Sequence, residues 1–243
     1  MNWNDTGIII SMRKHGDNNL ILNVLTENHG LHSGYIRNKI SKNNRYIYQM
    51  GNVLFLTWTG RLEEHLGYYR CELLHSFSHK FLNNVLTLNA LNSFCDLHNS
   101  LLPEREMYKN LFSKSIKFLK LVDAENTDWI SEYIRWELIL LSELGYGLDL
   151  TSCAVTGINN DLHYVSPKTG RAVSTVAAGK WKNKLLVLPH FLVSIEKKVI
   201  DKKDILNGIE LTSFFLKKYL FTLDLKLPIS RDRFINELKK LEI

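Results

Sequence analysis

The hydrophobic period of the chain changes once, near Ser78, and that change constrains the fold more than any other feature. Before it lie five short runs rich in Ile, Val, Leu, Tyr, Phe and Trp: Gly7 to Met12, Leu20 to Leu25, Leu31 to Arg37, Val53 to Trp58 and Gly67 to Leu74. Turn-formers such as His15-Gly16-Asp17-Asn18 and Asn28-His29-Gly30 part them. Gly, Asn and Asp accept the backbone angles of tight reversals, so each run reads as a strand and each gap as a turn. Five strands in so short a stretch predict a small closed barrel of the OB type, whose face and loops take oligonucleotides. A barrel used only as a scaffold has the same pattern, so fold alone does not define function.

After Ser78 the apolar residues recur at helical spacing. Phe81, Leu82, Val85, Leu86, Leu91, Phe94 and Cys95 form one such series, Met107 to Leu119 a second and Trp129 to Leu144 a third. Pro103 separates the first two, Asp128 is the expected N-cap of the third, and Gly145 its C-terminal stop. Gly145, Gly147, Gly157, Pro167, Gly170, Gly179 and Pro189 then break the pattern, which predicts a compact loop-rich insert with short extended pieces such as Leu162 to Ser166. A helix from about Lys203 to Leu223, apolar over most of its circumference, and a shorter one from Arg231 to Leu241 complete the chain. The expected class is α+β: a barrel over 1–78, a helical domain over 79–145 and 190–243, and a small insert over 146–189.

No apolar stretch approaches the ~20 residues of a membrane-spanning helix, and the N-terminus lacks a basic start and cleavage site. Three scattered cysteines, Cys71, Cys95 and Cys153, make no disulfide framework, so a cytoplasmic protein with free thiols is expected. The formal charge of +6 is unevenly spread. Residues 1–78 hold 8 Lys/Arg against 6 Asp/Glu, 79–167 hold 7 against 11, and 168–243 hold 16 against 8. The two ends, not the middle, are suited to a polyanion.

The densest basic segment is Tyr35 to Tyr48, with Arg37, Lys39, Lys42 and Arg45, no acid, and tyrosines at 35, 46 and 48. Cations neutralise phosphates and aromatic rings stack on bases, a pairing suited to single strands. A solvated loop between strands has the same composition. Arg13 and Lys14, at the end of the first strand, and Arg61, beyond the fourth, extend the candidate surface.

Catalytic signatures are missing: no phosphate-cradling Gly-rich loop, no nucleophile elbow and no paired zinc-protease histidines. Glu132, Glu137 and Glu143 are spaced to lie partly on the solvated side of their helix. Cys71, His75 and His79 have a four-residue spacing, but a strand followed by a helix does not bring them together as one helix would, and four convergent metal ligands are not evident.

Several phrases in this order resemble the RecO family of DNA repair proteins. They are Gly7-Ile8-Ile9-Ile10 followed by Arg13-Lys14-His15-Gly16-Asp17; Thr26-Glu27-Asn28-His29-Gly30-Leu31 leading to Arg37; Glu143-Leu144-Gly145-Tyr146-Gly147-Leu148-Asp149-Leu150 followed by Cys153; and Tyr164-Val165-Ser166-Pro167-Lys168-Thr169-Gly170-Arg171-Ala172-Val173. The resemblance implies an N-terminal OB domain, a helical domain and a small domain that is a zinc finger in some relatives. It also implies binding of single- and double-stranded DNA and annealing of complementary strands, without a cofactor or a chemical step. The partners it implies are the C-terminal tail of single-strand binding protein, RecR and, indirectly, RecA, in the bacterial nucleoid. A second strand-holding surface would include Lys168 and Arg171 or the C-terminal lysines. An alternative is an adaptor with weak DNA binding, for which Lys217 and Lys218 beside Phe214, Phe215 and Tyr219 are the candidate rim. One departure stands out. Zinc-bearing relatives have two Cys pairs, whereas here the first reads Cys153-Ala154-Val155-Thr156 and the second is missing, so a metal-free insert is expected.

Overall fold

A computed structural model describes residues 1–16, 19–37, 44–62, 64–193 and 200–241. The chain divides into two compact units, Met1–Asn126 with Pro228–Phe234, and Thr127–Leu227 with Ile235–Ile243.

The first unit opens with β1 (Asn2–Lys14), β2 (Leu20–Thr26), β3 (Leu31–Ile36), β4 (Val53–Thr59) and β5 (Tyr68–His75). They close into a barrel in the order β1-β2-β3-β5-β4, the expected OB-like topology. β1 is longer than its apolar run because one strand serves two neighbours. Asn2 to Ile8 pair with β4 and Gly7 to Lys14 pair with β2, the two runs overlapping at Gly7 and Ile8, and a register shift between Ile9 and Ser11 interrupts the pairing with β2. The extra residue of such a bulge bends and twists a strand, as a small barrel requires. The last seam is the parallel pairing of β3 with β5 at Tyr35 and Tyr68, with the Tyr35 N–H donating to the Gly67 carbonyl at 3.1 Å. Gly34 permits that approach, since a Cβ there would lie 2.2 Å from the Tyr69 ring.

Ile9, Leu22, Val24, Leu54, Leu56, Trp58 and Tyr69 fill the barrel. Tyr48, at the end of the basic segment, belongs to this core too; burial pushes its phenol pKa up. Beside it, buried Asn52 ties three segments together. Its amide donates to the carbonyls of Tyr46 and Ile47 at 2.8 and 3.1 Å, and its oxygen accepts from the Ser78 N–H at 3.1 Å.

The series expected to be one helix from Phe81 onward is two, α1 (Ser78–Leu82) and α2 (Val85–Leu101). Asn84 makes the break, its side chain accepting from the Leu86 N–H at 2.7 Å as an N-cap. α3 (Lys109–Asp123) packs in the same unit, where His98 of α2 is buried between the Phe94 carbonyl, 2.8 Å from Nδ1, and the Ser115 hydroxyl, 3.4 Å from Nε2.

The second unit begins with α4 (Trp129–Glu143). Gly145, at φ +81°, stops it, with the Tyr146 N–H reaching back to the Leu141 carbonyl at 2.8 Å. The insert is a three-stranded sheet, β6 (Leu162–Val165) between β7 (Ala172–Ser174) and β8 (Leu186–Val187), with α5 (Thr175–Ala178) and a 3-10 turn Gly179–Lys184 joining the last two. α6 (Lys202–Thr222) packs on α4. α7 (Ile229–Lys240) begins in the first unit and ends in the second. Glu132 and Glu137 are buried, not half-solvated as their spacing predicts. Glu137 accepts from the Thr212 hydroxyl of α6 at 2.5 Å, and Glu132 lies 3.6 Å from Arg135. A carboxylate with such partners can stay inside a helix pair. Among the described residues no helix is long and apolar enough to cross a membrane.

Candidate functional site

The barrel seam is also the floor of a cavity of about 490 Å³. Tyr35 comes from the end of β3, Tyr68 from the start of β5 and Ile21 from β2. His15 reaches in from the β1–β2 loop, and Arg61, His65 and Leu66 come from the β4–β5 loop. Those two loops flank the oligonucleotide-binding face of OB barrels. Arg37 completes the ring.

The aromatic groups are ordered against one another. The Tyr35 and Tyr68 rings meet edge to face at 5.7 Å, and His15 meets Tyr35 in the same way at 5.6 Å. The Arg37 guanidinium lies 4.2 Å from the Tyr68 ring centroid and donates to its hydroxyl at 2.5 Å, which pre-orients a flexible cation. The β4–β5 loop is pinned from beneath by buried Trp58, whose indole N–H donates to the Leu66 carbonyl at 3.1 Å. Gly67, at φ +58°, lies flat on that indole, where a Cβ would come within 2.3 Å of Nε1. Two arginines, two histidines and two tyrosines thus face a cavity to which the described residues contribute no carboxylate. The arrangement suits phosphates and flat rings.

Three of the sequence candidates, Tyr35, Arg37 and Arg61, converge here. Arg13 and Lys14 are exposed at the end of β1, paired in register with Ile21 and Leu20 of β2, and do not line the cavity. Arg45 and Tyr46 are exposed on the turn that Asn52 holds. Lys39 and Lys42 lie outside the described residues. Lys168 and Arg171 belong to the second unit; Lys168 is exposed, and Arg171 pairs with Asp149 at 3.2 Å. Hydrogen bonds from Thr151, then Arg171, hold the Asp149 pKa below the usual carboxylate range. Of the adaptor candidates, Phe215 is core and Phe214 exposed, while Lys218 donates to the carbonyls of Pro167 and Lys168 at 3.2 and 3.1 Å. The candidates named from the sequence do not include His15, His65 and Tyr68; the first two lie on the loops flanking the expected binding face, which is the signal for them, while Tyr68 opens β5 and is brought in only by the barrel's closure.

The donor set of the insert does not fit a zinc ion. Cys153 is buried, accepts from the Ser174 N–H at 3.3 Å, and has Thr156 as its other hydrogen-bond partner. Burial opposes ionisation of this thiol, but the bonds from Ser174 and Thr156 outweigh it and bring its pKa down to about 6. Among the described residues no group of three His, Cys, Asp or Glu side chains stands close enough to hold a metal.

An OB-like barrel with a cationic, aromatic cleft, followed by helices and a small sheet insert, defines the class: an OB-fold protein of the α+β kind. The comparisons narrow it. Residues 1–77 match the family model Recombination protein O N terminal, and residues 83–227 match Recombination protein O C terminal. A DNA repair protein RecO of Ruegeria sp. (strain TM1040) is 43% identical over 242 residues, covering 99% of each chain. The RecO of Rickettsia canadensis (strain McKiel) is 41% identical over 222 residues, 91% of this chain and 90% of its own, and that of Wolbachia pipientis wMel is 38% identical over 237, 96% and 98%. The chain belongs to the RecO family of DNA repair proteins.

Proposed function

We propose that this protein is a non-catalytic mediator of recombinational repair in the bacterial cytoplasm. It binds single- and double-stranded DNA, anneals complementary strands and, with RecR, promotes RecA loading on gaps coated with single-strand binding protein. The observation that carries this reading is the convergence of Tyr35, Arg37, Arg61 and Tyr68 on one cleft at the barrel seam. Annealing needs strands held close and correctly exposed, not bond chemistry. The arginines supply counter-charge and the tyrosines supply faces for bases.

The test is annealing of strands precoated with single-strand binding protein, with oligonucleotide affinity measured across a salt series. If Arg37 and Arg61 each neutralise one phosphate, the Arg37→Ala/Arg61→Ala variant anneals slowly and its log-log salt slope is shallower by about 1.4. An unchanged slope removes the cleft from the mechanism. The adaptor reading rests on Phe214, exposed at 37% beside exposed Lys217 and Lys218, as a rim for an acidic, apolar tail. A pure adaptor would not accelerate annealing of naked strands.

A further inference from the structure

Between Asp161 and Glu196 the chain has no acidic residue and five cations, Lys168, Arg171, Lys180, Lys182 and Lys184. Three of these sit on the 3-10 turn Gly179–Lys184, together with Trp181. None of the six residues of the turn is buried. A 3-10 turn eclipses positions three apart, so Lys184 stands beside Trp181; its Nζ lies 5.0 Å from the ring centroid and that of Lys180 lies 5.6 Å away.

Trp181 is 53% exposed, whereas Trp58 and Trp136 are fully buried, Trp129 is 9% exposed and Trp3 is partly buried. A large indole left half in water forgoes about half of the gain that places tryptophan inside proteins. Exposed lysine–aromatic contacts return little of it. What the turn does present is a flat π-face ringed by ammonium groups with no carboxylate in the neighbouring sequence. That is the chemistry by which single strands are held without sequence preference, bases on aromatic rings and phosphates on flanking cations.

We propose that the Gly179–Lys184 turn is a second binding site for single-stranded nucleic acid, with a base stacked on Trp181 and the adjoining phosphates on Lys180, Lys182 and Lys184. The ligand class is that of the barrel cleft, but the residues and the compact unit are different, so the two sites stand or fall separately. An acidic peptide is the less favoured occupant. Peptides with apolar anchors need a concave groove, and a turn with no buried residue is a poor place for one.

The test uses the full-length protein and an oligothymidylate. Tryptophan emission should fall on titration, and Trp181→Phe, which keeps the other four indoles, should lose most of that quenching. Trp181→Ala should bind roughly tenfold more weakly with an unchanged thermal midpoint, since the side chain is exposed. Wild-type quenching in Trp181→Phe, or wild-type affinity in Trp181→Ala, overturns the proposal. So does quenching of Trp181 by a phenylalanine-bearing oligoglutamate but not by the oligothymidylate, which would assign the turn to a protein partner. The Arg37→Ala/Arg61→Ala variant is titrated in parallel. Loss of binding there with Trp181→Ala unaffected sinks the turn and spares the cleft. Full Trp181 quenching and unchanged affinity in the arginine variant sink the cleft and spare the turn.

Discussion

The barrel and the insert are both small sheets, yet they are stabilised in different ways. The barrel closes five strands around buried aromatics and leaves its polar hub, Asn52, bonded on every side. The insert has three strands of two to four residues, one buried thiol and a half-exposed ion pair. A closed ladder with a filled interior needs no staple. A three-stranded patch of such short strands gains from support around it, and inside it Cys153 accepts hydrogen bonds from Ser174 and Thr156. The sheet also shares its unit with α4 and α6, which pack on each other.

The contrast breaks most visibly at Trp58. Trp58→Ala removes the largest side chain of the barrel core and the anchor of the β4–β5 loop, so it should cost about 3–5 kcal/mol in urea unfolding and weaken oligonucleotide binding as well. Asn52→Ala leaves the Ser78 N–H and two carbonyls without their partner and should cost about 2–3 kcal/mol, read as a lower urea midpoint with an unchanged slope.

Acid should act on the first unit through His32 and His98. Burial is the main cause that lowers both pKa values to about 4, and the Arg105 and His29 charges add to the effect at His32. Both rings therefore stay neutral in the folded chain while the unfolded chain takes up protons below about pH 6.5. Their contribution is complete above that value and declines as pH falls from 6.5 toward 4, by on the order of 2 kcal/mol per ring at pH 5. A urea midpoint that holds steady between pH 7.5 and 5 would show that these rings are not excluded from protonation.

Smaller effects belong to the insert. Arg171→Ala severs a half-exposed pair with Asp149 and should cost less than about 1 kcal/mol, detectable as a shift of a degree or two in thermal midpoint. A chelator should leave that midpoint where it is. Elemental analysis finding about one zinc per chain would overturn the reading of Cys153 as a hydrogen-bonded thiol.

Much of this was legible in the residues. The five apolar runs became five strands, and Gly145 stopped α4 as its position predicted, because turn and cap chemistry is local. Asn84 splits one expected helix into two because its side chain caps α2, whereas the apolar period runs across it unbroken. Tyr46 and Tyr48, two residues apart, divide between solvent and core. Composition alone treats both as stacking residues, and only the barrel interior decides between them.

The sequence by itself determined the elements, their order, the basic character of the two ends and the family, since periodicity, capping, charge and motif order are carried within short stretches or simply along the chain. Tertiary structure alone decided which cations share a site. Tyr35 and Tyr68 meet because β3 and β5 close the barrel in parallel, a pairing across 33 residues that no local pattern encodes. The same closure draws His15, Arg37 and Arg61 around one cleft, whereas Arg171, equally basic on paper, faces Asp149. A charge along a chain is a composition; its counter-charge and its neighbours exist only in three dimensions.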